Sequence, residues 1–502
     1  MLAFPELVLR GQVANRDFLH LYGPGSLWVL AAAFRAFGTS IGVERAVGLL
    51  QLLGAVFGVF ALVRPWGRWL AMAGATMTAI IVVPPIGLTA LAWVGAVGFG
   101  LWSVHLAVRA LDEPDRRPRL LVAAGLLAGM ALLYRPDLAV ALGLSGLVVF
   151  VTLDRPGRVR YLAAVAAGVS PYLVHLAMAG PGNVVRGLVI EPVFELRGGR
   201  ALPLPPSWDR FDGFLQRAGL LEEPPWPFPT PPSPAQLSIW LGLLVLSVVV
   251  LVMAGVGAAR DGRRRLLVMA LFALGLLPQA LQRADSTHLA WVSCVPFGLF
   301  PAAVVELWRG RAPHRLYVVA AALVPLGATL VLVPHFTWRS YAHAVARSAG
   351  IGDETHAMRH DGRTFYYGRA DAVTAVDQLL VAVDRVSAPG DRLFVGTADL
   401  RKTPYSEAFL YHLLPDLPPA TRFIEMDPGV ANAPDSGMAD EIAAADILIL
   451  SSVRDDWVEP NDSREFGPDE PNQVVARDFC QVGSFGTGLF GRGLYELYRR
   501  CR

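Results

Sequence analysis

Ten apolar stretches, each near the length that carries an α-helix across a hydrocarbon core, leave this chain few ways to fold. They run over residues 45–63, 68–84, 87–109, 119–134, 137–153, 160–179, 236–258, 266–281, 289–308 and 316–334. Inside lipid such stretches satisfy their backbone hydrogen bonds as helices. Composition agrees, because the 502 residues are 54% hydrophobic and only 17% charged, against about 25% charged in a soluble domain. The predicted class is a polytopic α-helical membrane protein. The net charge of +2 hides an asymmetry: arginines crowd the hydrophobic part, while Asp455, Asp456, Asp462 and Glu465 gather near the C-terminus. Two regions facing different solvents are implied. Met1 to Arg16 lacks the basic, apolar and small-residue order of a secretory signal, so insertion rests on the internal helices.

The connections orient the helices. Taken alternately, one set of loops reads "RPWGR", "RALDEPDRRPR", "DRPGRVR", "RDGRRR" and "RGRAPHR"; the other reads "PP", "RPD", the long segment 181–235 and "QRADST". Arginine excess in short loops marks the cytoplasmic side. The second set, the stretch before Glu44 and everything after Pro334 are therefore expected outside. Three regions follow: an external loop with an interfacial helix over 1–44, a transmembrane region over 45–334, and an extracytoplasmic α/β domain over 335–502. The stretch Ser26 to Gly38 is short for a span and contains Arg35, so it reads as a helix lying in the outer interface; as a span it would place Met1 in the cytoplasm. An external start followed by ten spans also predicts a further helix upstream of this sequence.

After Pro334 the pattern changes. "RADAVTAVDQLLVAVDRVS" and "MADEIAAA" have helical spacing, and "DRLFVGT" and "DILILSS" read as short buried strands. A hairpin is predicted around Asp361 and Gly362, and a second turning near Gly488 to Gly493. The latter sets Cys480 and Cys501 opposite each other, where a disulfide and free or differently paired thiols both remain open. Cys294, within a span, reads as a packing residue. The histidines do not fall at metal-ligand spacing, "LFVGTADLRK" reads as an ordinary turn, and the basic residues form helix flanks, which argues against nucleic acid as a partner.

Charge at the outer surface remains to be explained. There are three patches: "NRDFLHLYGPG" with Arg16, Asp17, His20 and Tyr22; "YRPD" with Arg135 and Asp137; and "QRADSTH" with Arg283, Asp285 and His288. Singly, each is an ordinary solvated loop or cap. Together they lie on one predicted face, and the last two sit in turns too short to leave the headgroup level. There a lipid phosphate is the obvious counter-charge. Arginine offers phosphate a forked set of donors, and a carboxylate can take a proton from a hydroxyl. These are the parts needed to move a group from a lipid phosphate to an alcohol.

At this point the chain resembles the GT-C superfamily of polytopic glycosyltransferases. In that family a segment like G-x-x-P-Y-R-D-F-x-x-x-x-G-P precedes an interfacial helix, a glycine and an arginine-led span; here Gly11, Arg16, Asp17, Phe18, Gly23, Pro24, Gly38 and Arg45 stand at matching positions. "QRADSTHL" is similar to the R-x-D-x-x-H turn of bacterial members. The resemblance covers residues up to about 334. It implies a polyprenyl-phosphate-linked sugar donor, an envelope acceptor hydroxyl, the lipid bilayer as surroundings and inverting hexosyl or pentosyl transfer outside the plasma membrane. It leaves a divalent metal open and no cofactor certain. The family's first helix and the acidic residue after it have no counterpart here, and "ANRDF" stands for the usual "PYRDF". The expected roles are Arg283, His288 and Arg135 on the donor phosphate, Asp17 (or Glu6) as base, and Arg16, Asp285, Asp137 and Tyr22 in support. The segment 181–235, with Glu191, Glu195, Asp209 and Asp212 and no regular structure of its own, would cover the acceptor. Two rival classes stay open. A transporter would collect polar groups at the bilayer midplane of repeated halves; a non-catalytic scaffold or glycan-binding protein would use the same arginines only as anchors.

Overall fold

A computed structural model describes the chain except residues 1, 85, 206–233, 310–313, 333–341, 343–344, 347–348, 353–355, 368–369, 405, 456–458, 489–492 and 502. Two helices, α1 (Ala3–Leu9) and α2 (Pro24–Phe37), lead into α3 (Ile41–Val63), α4 (Arg68–Val82), α5 (Ala92–Asp112), α6 (Arg117–Tyr134), α7 (Ala139–Thr152), α8 (Arg155–Val169) and α9 (Pro171–Ala179). Then follow α10 (Pro181–Val185), α11 (Leu196–Arg200), α12 (Pro234–Arg260), α13 (Arg265–Gln282), α14 (Ser286–Leu307) and α15 (His314–Leu332).

Every predicted apolar stretch falls on one or two of these helices. Seven of the segments, among the described residues, are long and apolar enough to cross a membrane: Ile41–Trp66, Ala92–Asp112, Pro114–Tyr134, Arg155–Ala179, Pro234–Arg260, Arg265–Gln282 and Ser286–Leu307. The stretches Arg68–Val82, Pro136–Thr152 and Leu316–Thr329 are shorter apolar helices. The chain is an integral membrane protein. Helix contacts are close where small residues face each other: a Cβ on Gly129 of α6 would lie 2.5 Å from the Val165 carbonyl oxygen and 2.6 Å from Gly168 Cα on α8. In lipid that approach is what dispersion between helices rewards. Polar groups inside the bundle pair across helices in places, as where Trp240 Nε1 donates to Ser293 Oγ at 3.1 Å and Thr78 Oγ1 to the Cys294 carbonyl at 2.8 Å.

The C-terminal region is a small α/β layer. A hairpin of β1 (His356–His360) and β2 (Arg363–Tyr367) turns at Asp361 and Gly362, both at positive φ, as a two-residue turn requires. Next come α16 (Ala370–Val386), β3 (Leu393–Thr397), α17 (Leu410–Leu413), α18 (Met438–Ala443), β4 (Ile447–Ser451), α19 (Glu470–Asp478), β5 (Phe479–Phe485) and β6 (Tyr495–Arg500). The sheet order is β3-β4-β6-β5, with β3 and β4 parallel and the other pairs antiparallel. β3 and β4 are buried at every residue, which explains their unbroken apolar sequences. Cys480 and Cys501 are joined in a disulfide.

Two parts of the chain differ from the sequence expectation. The N-terminal segment is no free loop, since Phe4, Leu7 and Phe18 share one core with Val376, Leu379, Leu393 and Ile449 of the α/β layer. The segment after Pro181, expected to be irregular, is helical as far as Arg200, with a π-helical stretch over Arg186–Glu195 between α10 and α11. Pro192 lies in that stretch; its ring and missing N–H do not fit an α-helical ladder, and a wider turn accommodates them. Asp209 and Asp212 lie outside the described residues.

Candidate functional site

Two of the sequence patches are built the same way. Arg135 ends α6 and Arg283 ends α13, each with extended backbone at its C-cap; for Arg135 the following Pro136 enforces this. In each, the guanidinium folds onto the carboxylate two residues on. Arg135 Nε and Nη2 donate to Asp137 at 2.8 and 2.6 Å, and Arg283 Nε donates to Asp285 at 2.6 Å. Asp285 also caps α14, accepting from the backbone N–H and from Nδ1 of His288, both at 2.8 Å. Burial pushes the Asp285 carboxyl up, yet the charges of His288 and Arg283 and the His288 hydrogen bonds outweigh it and hold the group well below the carboxylate range. An ionised carboxylate only accepts, so Nδ1 of His288 carries a proton and Nε2 is left for chemistry.

Contacts join these turns into a closed ring. The Arg135 guanidinium lies 4.5 Å above the Tyr22 ring and 5.3 Å from that of Trp93. Trp93 Nε1 donates to the Trp291 carbonyl at 3.4 Å, and the Trp291 ring packs on His288 at 4.8 Å. His288 leads through Asp285 to Arg283, whose Nη1 donates to the Arg200 carbonyl at 2.8 Å. The last link is not a contact but one small cavity that Arg200 and Tyr22 both line. Gly23 makes the Tyr22 placement feasible, since a Cβ there would fall 2.1 Å from the Leu133 carbonyl oxygen at the end of α6. Two donors beside His288, Thr287 Oγ1 and Trp291 Nε1, are sealed from solvent with no hydrogen-bond partner among the described residues. Buried polar groups are rarely left so without a use.

The sequence did not foresee Glu459. This carboxylate of the C-terminal region, 3% exposed, grips Arg283 in bidentate fashion, its Oε2 accepting from Nη1 at 2.8 Å and its Oε1 from Nη2. Both Arg283 and Arg135 are 6% exposed. A guanidinium expected to face lipid phosphate is thus held by a carboxylate from 176 residues away, two anions of similar forked geometry. Nothing local in "DDWVEPND" signals this; only the acidic bias of that region pointed toward a basic partner.

Asp17 stands outside the ring. Arg16 clamps it through Nε at 2.9 Å and Nη2 at 2.7 Å, and the Val13 N–H donates to it at 2.7 Å. The Arg16 hydrogen bond holds its carboxyl below the ordinary value, the wrong direction for a general base working near neutrality. Arg16 in turn reaches the Met178 carbonyl at 3.2 Å, at the end of α9. Glu6 is likewise occupied, by Arg363 at 2.9 Å and by His412. Both residues expected as a base are thus held in ion pairs. Asn15, at φ 66°, donates to the His20 carbonyl at 2.7 Å and meets His175 Nε2 at 3.0 Å.

The sequence matches no protein-family model and no curated protein. Among solved structures the chain is similar to ArnT from Cupriavidus metallidurans bound to undecaprenyl phosphate, at 13% identity and a TM-score of 0.49, over 99% of this chain and 92% of that one. The apo form of the same protein aligns at 15% identity and a TM-score of 0.43, with coverage of 99% and 92%. The apo oligosaccharyltransferase of Archaeoglobus fulgidus aligns at 12% identity and a TM-score of 0.45, over 98% of this chain and 70% of that one. Likenesses this distant leave the chemistry to be argued from the residues themselves.

Proposed function

We propose that this chain is a membrane glycosyltransferase that moves a sugar from a polyprenyl-phosphate donor to an acceptor hydroxyl on the non-cytoplasmic side of the plasma membrane. The observation that carries the reading is the closed ring, in which two buried arginines, an Asp–His pair and two unpartnered donors meet where helix ends abut the C-terminal region. Arg135 and Arg283 bind the donor phosphate, Arg283 by exchanging the Glu459 carboxylate for it. Thr287 Oγ1 and Trp291 Nε1 supply further donors to the same group.

In the reaction the anomeric carbon–oxygen bond to phosphate breaks as the acceptor oxygen bonds the opposite face of that carbon. The polyprenyl phosphate leaves as an anion, stabilised by the two guanidinium groups. The acceptor proton passes to His288 Nε2, with Asp285 holding Nδ1–H and stabilising the imidazolium that forms. Asp137 and Tyr22 orient Arg135; Asp17 and Arg16 fix the segment that carries Tyr22. The disulfide Cys480–Cys501 supports an oxidising exterior for the C-terminal region, and the arginine-rich loops support the opposite side as cytoplasmic.

The test is turnover by purified protein offered radiolabelled polyprenyl-phosphate sugars and membrane acceptors. His288→Ala is expected to lower kcat by about 10²- to 10⁴-fold, and Arg135→Ala to raise KM for the donor. Unchanged turnover in both variants discards this site. A scaffold would show donor-lipid binding without turnover in the parent protein.

A further inference from the structure

Beside the ring lies a small cavity where the N-terminal segment, Arg200 and the C-terminal region meet, lined by Phe4, His20, Tyr22, Arg200, Glu425 and Asp427. Two independent observations mark it as built. His20 is 4% exposed, and its Nε2 is sealed from solvent with no hydrogen-bond partner among the described residues. Its ring is held at fixed angles by Phe4 at 5.4 Å and Tyr22 at 5.5 Å, so the unpartnered nitrogen is not a matter of loose packing. The two carboxylates flank Met426, which sits at φ 54°, in the left-handed region that a long unbranched side chain rarely adopts. Such strain persists where surrounding structure imposes it, and it is concentrated at binding and catalytic sites.

The chemistry of the lining selects a ligand. Asp427 is paired with Arg200, which leaves acceptor capacity on a neutralised carboxylate, whereas Glu425 adds net negative charge. Burial, with the charges of His175, the N-terminus and Arg135, drops the His20 pKa to about 3, so the imidazole stays uncharged and serves hydroxyls as donor or acceptor. Aromatic faces beside carboxylates and a neutral imidazole suit vicinal hydroxyls, and they disfavour an anion.

We propose that this cavity holds an uncharged, hydroxyl-bearing edge of a sugar, with Glu425 and Asp427 accepting from its hydroxyls and His20 Nε2 meeting a third. The chain would then discriminate against sugars bearing a carboxylate. The choice of a sugar as ligand rests on the glycosyltransferase reading; the preference for a neutral edge rests on the lining alone.

The experiment is saturation-transfer NMR on the full chain in nanodiscs, offered the methyl glycoside of a neutral hexose and that of the matching hexuronic acid. The neutral glycoside is expected to bind, the uronic acid about tenfold more weakly (about 1.4 kcal/mol). Glu425→Gln, at a half-buried position that tolerates an isosteric amide, is expected to erase most of that preference, and His20→Gln to weaken binding of the neutral glycoside. Equal binding of the two glycosides, binding of neither, or a preference unchanged by Glu425→Gln overturns the proposal. Because binding is read without turnover and is expected to survive His288→Ala, failure of the cavity and failure of the transferase reading give different results.

Discussion

Arginines occupy both ends of the helical bundle, and a pair from each end shows two opposite treatments. At the end carrying "RALDEPDRRPR" and "RGRAPHR", the side chains of Arg116 and Arg309 are 72% and 59% exposed. Their carboxylate partners, Glu113 and Glu306, lie three residues away along the chain. At the other end the side chains of Arg135 and Arg283 are each 8% exposed and held by carboxylates at 2.6 Å. The residue type is the same, so the difference lies in desolvation. An arginine that only biases insertion needs nothing but charge and keeps its hydration. An arginine that loses its water must be given anions in fixed directions, and a site that arranges such anions can also arrange a phosphate.

The largest effect that would sharpen this contrast is on stability. Arg283→Ala leaves Glu459 and Asp285 buried without their common counter-charge and is expected to cost about 3–5 kcal/mol, read as a large loss of thermal stability in detergent. Arg116→Ala is expected to stay within about 0.5 kcal/mol. Similar losses from the two substitutions would break the comparison.

A smaller effect tests whether Glu459 competes with the donor phosphate. Glu459→Gln removes the tethered anion but keeps its shape, so a polyprenyl phosphate should bind roughly tenfold more tightly, as measured by ligand-dependent thermal shift. Weaker binding would make Glu459 part of the cradle that shapes Arg283, and not its competitor.

The smallest effect concerns His20 at the same end. Its folded pKa, about 3, lies below the unfolded value near 6.5. Between these values the unfolded chain binds a proton that the folded chain refuses, so this residue's contribution to stability falls as pH falls. The stability difference between parent and His20→Gln should shift by about 1 kcal/mol between pH 6.5 and 5.5, the parent losing ground. A flat difference would mean that water reaches the ring.

Much of this architecture was legible in the residues. Length and hydropathy located the helices because a membrane segment must be uniformly apolar, a strong signal. They did not say which are full spans, since Arg68–Val82 and Pro136–Thr152 are apolar but short. Alternation and turn residues found both hairpins and the paired strands β3 and β4. For the site, the patches set Arg135 beside Asp137 and Arg283 beside Asp285 because the partners of each belong to one turn. Glu459 and Arg200 escaped because their contacts depend on how distant segments dock, which no local period records. For Asp17, expected as a base, the neighbour Arg16 was visible in the sequence, but only coordinates show that the two pair with each other.

The shared core of the first and last parts of the chain bears on biosynthesis. Phe4, Leu7 and Phe18 are made before the membrane helices, yet the strands and helices that shelter them, from Ala372 to Leu497, are made after those helices. Until the α/β layer is made, these residues have no home, and their greasy side chains need other cover, such as a chaperone or the lipid surface. A fragment expressed without them would emerge with a raw hydrophobic flank, and supplying residues 2–22 as a fused leading peptide is the way to make it soluble.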